Sequence, residues 1–253
     1  MNLKYTTNLN FLWLRRSIII SSILIIFISF PISTSYSQNP NEFVYSTNDQ
    51  PFGEPYNVWI SKWMQWNVNI PLEGHPRDSY SPEKCHENQG GPVWYLPDIL
   101  AGKEDRTCFI PSGKGILFPI STGACWNDGN PQFMTETELK KCAMEGNDYL
   151  HFNAYLNDTK LTDLKDDRVQ SPAFNITIPR ESYTRYSVSE TGGIGECEVC
   201  PFGNFTAFVD GYFIFLKPLQ KGVYDISFSY TTVENPTPDY KHFAELKYHL
   251  VVG

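Results

Sequence analysis

The sequence lacks an apolar run long enough for an easy membrane crossing, and it has no acidic side chain before Glu42. Its strongest apolar run is Ser17–Phe30, SIIISSILIIFISF, closed by Pro31. As a helix this run would span roughly 21 Å, against a hydrocarbon core of about 30 Å. Lys4, Arg15 and Arg16 precede it and the small-x-small step Ser35-Tyr36-Ser37 follows, which is the layout of a cleaved secretory signal. The expectation is a signal peptide over residues 1–37, the rival being an uncleaved anchor formed by residues 17–30. Arg15-Arg16 also has the form of a twin-arginine signal, but an ordinary basic n-region accounts for it equally.

Positive charge is scarce as well. The chain has 20 Lys and Arg against 28 Asp and Glu, a formal net charge of −8 that becomes −11 once residues 1–37 and their three cations are gone. Such a chain has no electrostatic route to nucleic acid and is repelled by anionic membrane surfaces. Also missing are the Gly-x-Ser-x-Gly elbow and the His-Glu-x-x-His helix, the familiar signatures of serine hydrolases and zinc proteases. Gly113-Lys114-Gly115 lacks the frame of a phosphate loop and reads as a turn. No internal repeat or low-complexity tract occurs.

What the chain does have is an even set of cysteines beyond the leader: Cys85, Cys108, Cys125, Cys142, Cys197 and Cys200. Behind an export signal, that is the arithmetic of disulfides, with sequential pairing the simplest of the 15 connectivities. Asn157-Asp-Thr, Asn175-Ile-Thr and Asn204-Phe-Thr are glycosylation acceptors in form, fitting an exported glycoprotein. Cys197-Glu-Val-Cys200 has redox-dithiol spacing, yet glycines flank it on both sides and a turn disulfide is the expected role.

The 216 residues from Gln38 onward divide into a polar linker, 38–54, and a single β-rich domain, 55–253, with 55–148 and 149–253 as alternative halves. Two helices are expected. In the first, about 55–66, Pro55 suits the first helical position and Tyr56, Trp59, Ile60 and Trp63 recur at helical spacing. In the second, about 136–145, Thr135-Glu-Thr-Glu138 is a capping-box pattern. The stretch Gly90–Ser121 carries three short apolar bursts separated by turn formers, the signature of buried strands. Thr122–Asn130 reads as a loop. Asp210-Gly211, flanked by Phe205–Val209 and Tyr212–Leu216, is the strongest hairpin signal. Val223–Tyr230 and His242–Val252 alternate apolar and polar, each with one buried face. The fold class is mainly β: an antiparallel β-sandwich, jelly-roll or immunoglobulin-like, stapled by disulfides.

The Trp59-xxx-Trp63-xx-Trp66 helix, Gly91-Pro-Val-Trp-Tyr-Leu96, Cys108-x-Ile-Pro-x-Gly-Lys114 and Val209-Asp-Gly-Tyr212 with Lys217-Pro-Leu-x-x-Gly222 form a pattern spanning about residues 53–252. It resembles a group of uncharacterised secreted proteins of bacteria and archaea. The resemblance implies an exported, β-rich single unit and carries no functional residues; Cys197-Glu-Val-Cys200 stands outside it.

His75, Asp78, Cys85 and His86 place metal-ligand types in one loop, but their spacing matches no standard finger and Cys85 is expected to be oxidised. No metal or cofactor is expected. His75, Asp78 and His86 remain ligand-binding candidates, together with Trp94 and Trp126, two aromatic side chains outside the helical stripe. The functional expectation is a secreted or cell-surface sandwich acting as a binding or structural module, its partner a carbohydrate or another cell-surface component. The alternative is a secreted hydrolase with its site in loops 72–91 and 122–130.

Overall fold

A computed structural model describes residues 42–71, 73–77, 81–98, 102–129, 132–145, 147, 150–161, 168–182, 186–188, 194–196, 202–232 and 243–253. Helix α1 (Tyr56–Asn69) is followed by strands β1 (Val93–Tyr95), β2 (Gly102–Ile110) and β3 (Gly115–Trp126), then by helix α2 (Glu136–Met144). After it come β4 (Leu150–Leu156), β5 (Thr159–Lys160), β6 (Arg168–Gln170), β7 (Phe174–Ile178), β8 (Tyr186–Val188) and β9 (Ile194–Glu196). The last three strands are β10 (Gly203–Leu216), β11 (Gly222–Thr232) and β12 (Phe243–Val252).

The first sheet runs β1-β3-β10, with β6 and β7 both paired along the other edge of β10. The second runs β2-β12-β11-β4-β5, and β8 and β9 form a separate pair. The class is the expected β-sandwich, but its sheets are mixed, because β1 lies parallel to β3 and β2 parallel to β12. Both sheets draw strands from the early and the late parts of the chain, and Ser37–Gly253 forms one compact unit.

Three layers result. Ile116, Phe118, Ile120, Ile214 and Leu216 of the first sheet meet Ile226, Phe228, Leu246, Tyr248 and Leu250 of the second in one core. On its other side, the first sheet presents Leu117, Val209, Phe213 and Phe215 to α1, whose Tyr56, Trp59, Ile60 and Trp63 complete a second core. The first sheet is thus buried on both faces, which is why Ala207–Leu216 is continuously buried rather than alternating. Among the described residues the second sheet is covered on one face, and β11 and β12 keep the period-2 pattern read from the sequence.

Double coverage explains the main departure from the sequence reading. Asp210-Gly211 is no hairpin turn; β10 passes straight through it as a single 14-residue strand. A Cβ at Gly211 would stand 2.3 Å from the Ser121 carbonyl oxygen and 2.8 Å from Thr122 Cα, so the glycine permits close backbone approach instead of a turn. Asp210 is buried and pairs with Arg168 at 2.7 Å. Likewise Thr122–Trp126 is the end of β3, not a loop, and Gly102-Lys103 opens β2. Pro119 brings no N–H to the β3 ladder, and there the register with β10 slips between Tyr212 and Phe213.

Helix α1 continues one turn beyond its expected end at residue 66, to Asn69, and α2 carries the expected capping box on Thr135 and Glu138. Two of the three expected disulfides are present. Cys85–Cys108 ties the 3-10 turn Pro82–His86 to β2, and Cys125–Cys142 ties α2 to β3. Cys197 and Cys200 lie outside the described residues.

Candidate functional site

The residues singled out in the sequence do not converge. His75 is fully buried: its Nε2–H donates to the Asn67 carbonyl at 3.1 Å and its Nδ1 accepts the Arg77 N–H at 3.1 Å. Burial, followed by the Arg77 charge, lowers its pKa to about 4, so the ring is neutral at pH 7. Both nitrogens serve the local backbone. Trp94 is 5% exposed in the core between the sheets, with the exposed His86 ring edge-on to it at 5.1 Å. Trp126 is half-buried against the α1 core. Asp78 lies outside the described residues. The three sequon asparagines are all exposed, Asn157 in a turn and Asn175 and Asn204 on paired strands.

Beside His75 lies a buried ionic cluster. Arg77 pairs with Asp98, and Arg106 pairs with Glu104 and donates to the Arg77 carbonyl. Tyr248 donates its hydroxyl to the Pro97 carbonyl at 3.0 Å. Burial pushes Tyr248 well above the usual phenol range and Tyr230 up to about 12. These groups fasten Arg77 and Pro97-Asp98 to β2 and β12.

The tryptophans of α1 are also structural. The indole N–H of Trp59 donates to Pro51 O at 2.8 Å, that of Trp63 to Leu96 O at 2.9 Å, and that of Trp66 to Glu87 O at 3.0 Å. Each ring therefore pins a different surrounding loop, as buried indoles do.

The open surface lies on the outer face of the second sheet. Alternation sends His151, Asn153 and Tyr155 of β4 outward, with Asp225, Ser227, Ser229 and Thr231 of β11 and Glu245, Lys247 and His249 of β12. Register sets Tyr155 and Lys247 on either side of Ser227, and Asn153 and Glu245 on either side of Ser229. Two small side chains between rows of larger ones make a shallow trough of about 160 Å³ along β11, lined by Asn153, Tyr155, Ser227, Phe228, Ser229 and Glu245.

Cross-strand ion pairs hold the rims. Lys103 meets Glu245 at 2.7 Å and Lys247 meets Asp225 at 3.1 Å. His249 lies between two carboxylates, with Nδ1 2.6 Å from Asp225 and Nε2 2.9 Å from Asp105. The His249 contact, with help from Lys247, holds the Asp225 carboxyl below its usual range. Both His249 nitrogens are engaged, so neither is left to activate the Ser227 hydroxyl as a base would. Among the described residues, no cluster of three His, Cys, Asp or Glu side chains is placed to hold a metal ion. The trough went unseen in the sequence because its signal, two serines at i and i+2 on an amphipathic strand, is that of any solvated strand.

No protein-family model matches the chain, and no curated protein does. Among solved structures, the chain is similar to the cysteine protease inhibitor EhICP2 from Entamoeba histolytica, with 14% identity, 62% of this chain and 97% of that chain covered, and a TM-score of 0.21. That likeness is too slight to carry an argument about fold or function.

Proposed function

We propose that this chain is an exported binding module whose ligand surface is the outer face of the second sheet. The observation that carries the reading is the trough along β11: an open depression on a fully paired strand, bordered by cross-strand ion pairs. A recognition surface on a sheet is positioned more accurately than one on loops, which favours binding with little rearrangement.

Export is supported on four counts. The two disulfides belong to an oxidising, extracellular environment. Residues 1–37 have the pattern of a cleaved signal, and the three sequons are exposed as glycan acceptors must be. The resemblance to secreted bacterial and archaeal proteins points the same way.

The test uses the oxidised chain from Gln38 onward, in two parallel arms. One screens chromogenic esters, peptides and glycosides for turnover; the other passes the protein over immobilised glycans and peptides. Retention without turnover is the expected result. Turnover that a single side-chain substitution abolishes would replace the binding reading with the hydrolase one.

A further inference from the structure

Resting on that reading, we infer that the β11 trough takes a neutral, linear glycan chain lying along the strand. Its width is the first argument. Asn153 and Tyr155 on one side and Glu245 on the other stand on strands two spacings apart, about 10 Å between backbones, before their side chains narrow the gap. An α-helix with side chains is about 10–12 Å across and does not fit between them. One extended polymer chain does.

Chemistry separates a glycan from an extended peptide. A peptide binds sheets mainly by pairing with a free strand edge, but β11 has its ladders filled by β4 and β12 along the trough. Instead the floor offers the hydroxyls of Ser227 and Ser229, one wall offers the Asn153 amide and the other the Glu245 carboxylate. Hydroxyl, amide and carboxylate groups together donate and accept, as a polyhydroxylated ring demands. Tyr155 supplies an aromatic surface on which the C–H face of a sugar can rest.

Charge selects the neutral class. Glu245 is neutralised by Lys103, and Lys247 by Asp225, so the two rims are balanced, and Lys160 stands opposite Tyr155 on β5, outside the trough lining. With a formal net charge of −8, which becomes −11 from Gln38 onward, the chain repels polyanions.

The experiment is affinity gel electrophoresis of the oxidised protein with four soluble polymers: a neutral β-glucan, a neutral mannan, a neutral xylan and the anionic alginate. Retardation is expected with at least one neutral polymer and not with alginate. Ser229→Arg, which fills the trough, is expected to abolish it, and Tyr155→Ala to weaken it at least tenfold. Both sites reach solvent, and an unchanged melting temperature confirms that each variant folds. No retardation by any neutral polymer, or retardation that survives Ser229→Arg, overturns the glycan inference. If a peptide or alginate is bound instead and Ser229→Arg removes that binding, the glycan class fails while the binding-module reading stands. Turnover of any polymer sinks both.

Discussion

Gly211 shows how a single missing side chain allows two central strands to approach. The added Cβ of Gly211→Ala would meet backbone atoms of Ser121 and Thr122, neither of which can rotate away, so β3 and β10 must part. A loss of roughly 1–3 kcal/mol is expected, read as a lower denaturant midpoint with unchanged slope. Gly90 is the control: a Cβ there meets nothing within 4 Å, and Gly90→Ala is expected to leave the midpoint nearly unchanged. The same glycine marks where local signals mislead. An Asp-Gly between apolar runs carries turn chemistry in any sequence window, and only burial of both sheet faces converts it into strand interior. Asp210 then gains Arg168 from β6, a partner invisible at a distance of 42 residues along the chain.

At the scale of elements, the buried polar plug around His75 adds to the apolar packing of Val93–Leu96, and it makes this part of the fold sensitive to acid. The pKa of His75 falls from 6.5 in the unfolded chain to about 4 in the folded one, because burial and Arg77 disfavour the imidazolium. The folded state therefore binds this proton less well. The stability that neutral His75 contributes is complete above pH 6.5 and is lost as pH falls from 6.5 toward 4, about 3 kcal/mol over the window. Denaturant titrations at pH 7, 5.5 and 4 are expected to show this fall, and His75→Gln to show a shallower one. Equal slopes in the two proteins would remove His75 from the acid response. The helices were legible element by element, because the Trp59-Trp63-Trp66 spacing and the Thr135–Glu138 cap are local signals. The plug was not, since Arg77, Asp98, Arg106 and Tyr248 come together only when β2 pairs with β12.

For the whole molecule, the three-layer arrangement sets which sheet face stays wet among the described residues. Helix α1 covers the first sheet, and β11 and β12 keep a wet outer face, as their alternation foretold. The proposed site was not legible, because the trough depends on the register of three strands drawn from residues 150–156, 222–232 and 243–252. The sequence directed attention to His75, His86, Trp94 and Trp126, residue types that often serve ligands, and packing used His75 and Trp94 inside the structure. The central claim is that ligand binds on the outer face of the second sheet. It is tested most directly by mapping amide chemical shifts of the isotope-labelled, oxidised chain while the retained polymer is added. Shifts confined to Asn153, Tyr155, Ser227, Ser229, Glu245 and their immediate neighbours are predicted. Shifts centred on residues 73–91 or 122–129, with the β11 amides unmoved, would contradict it.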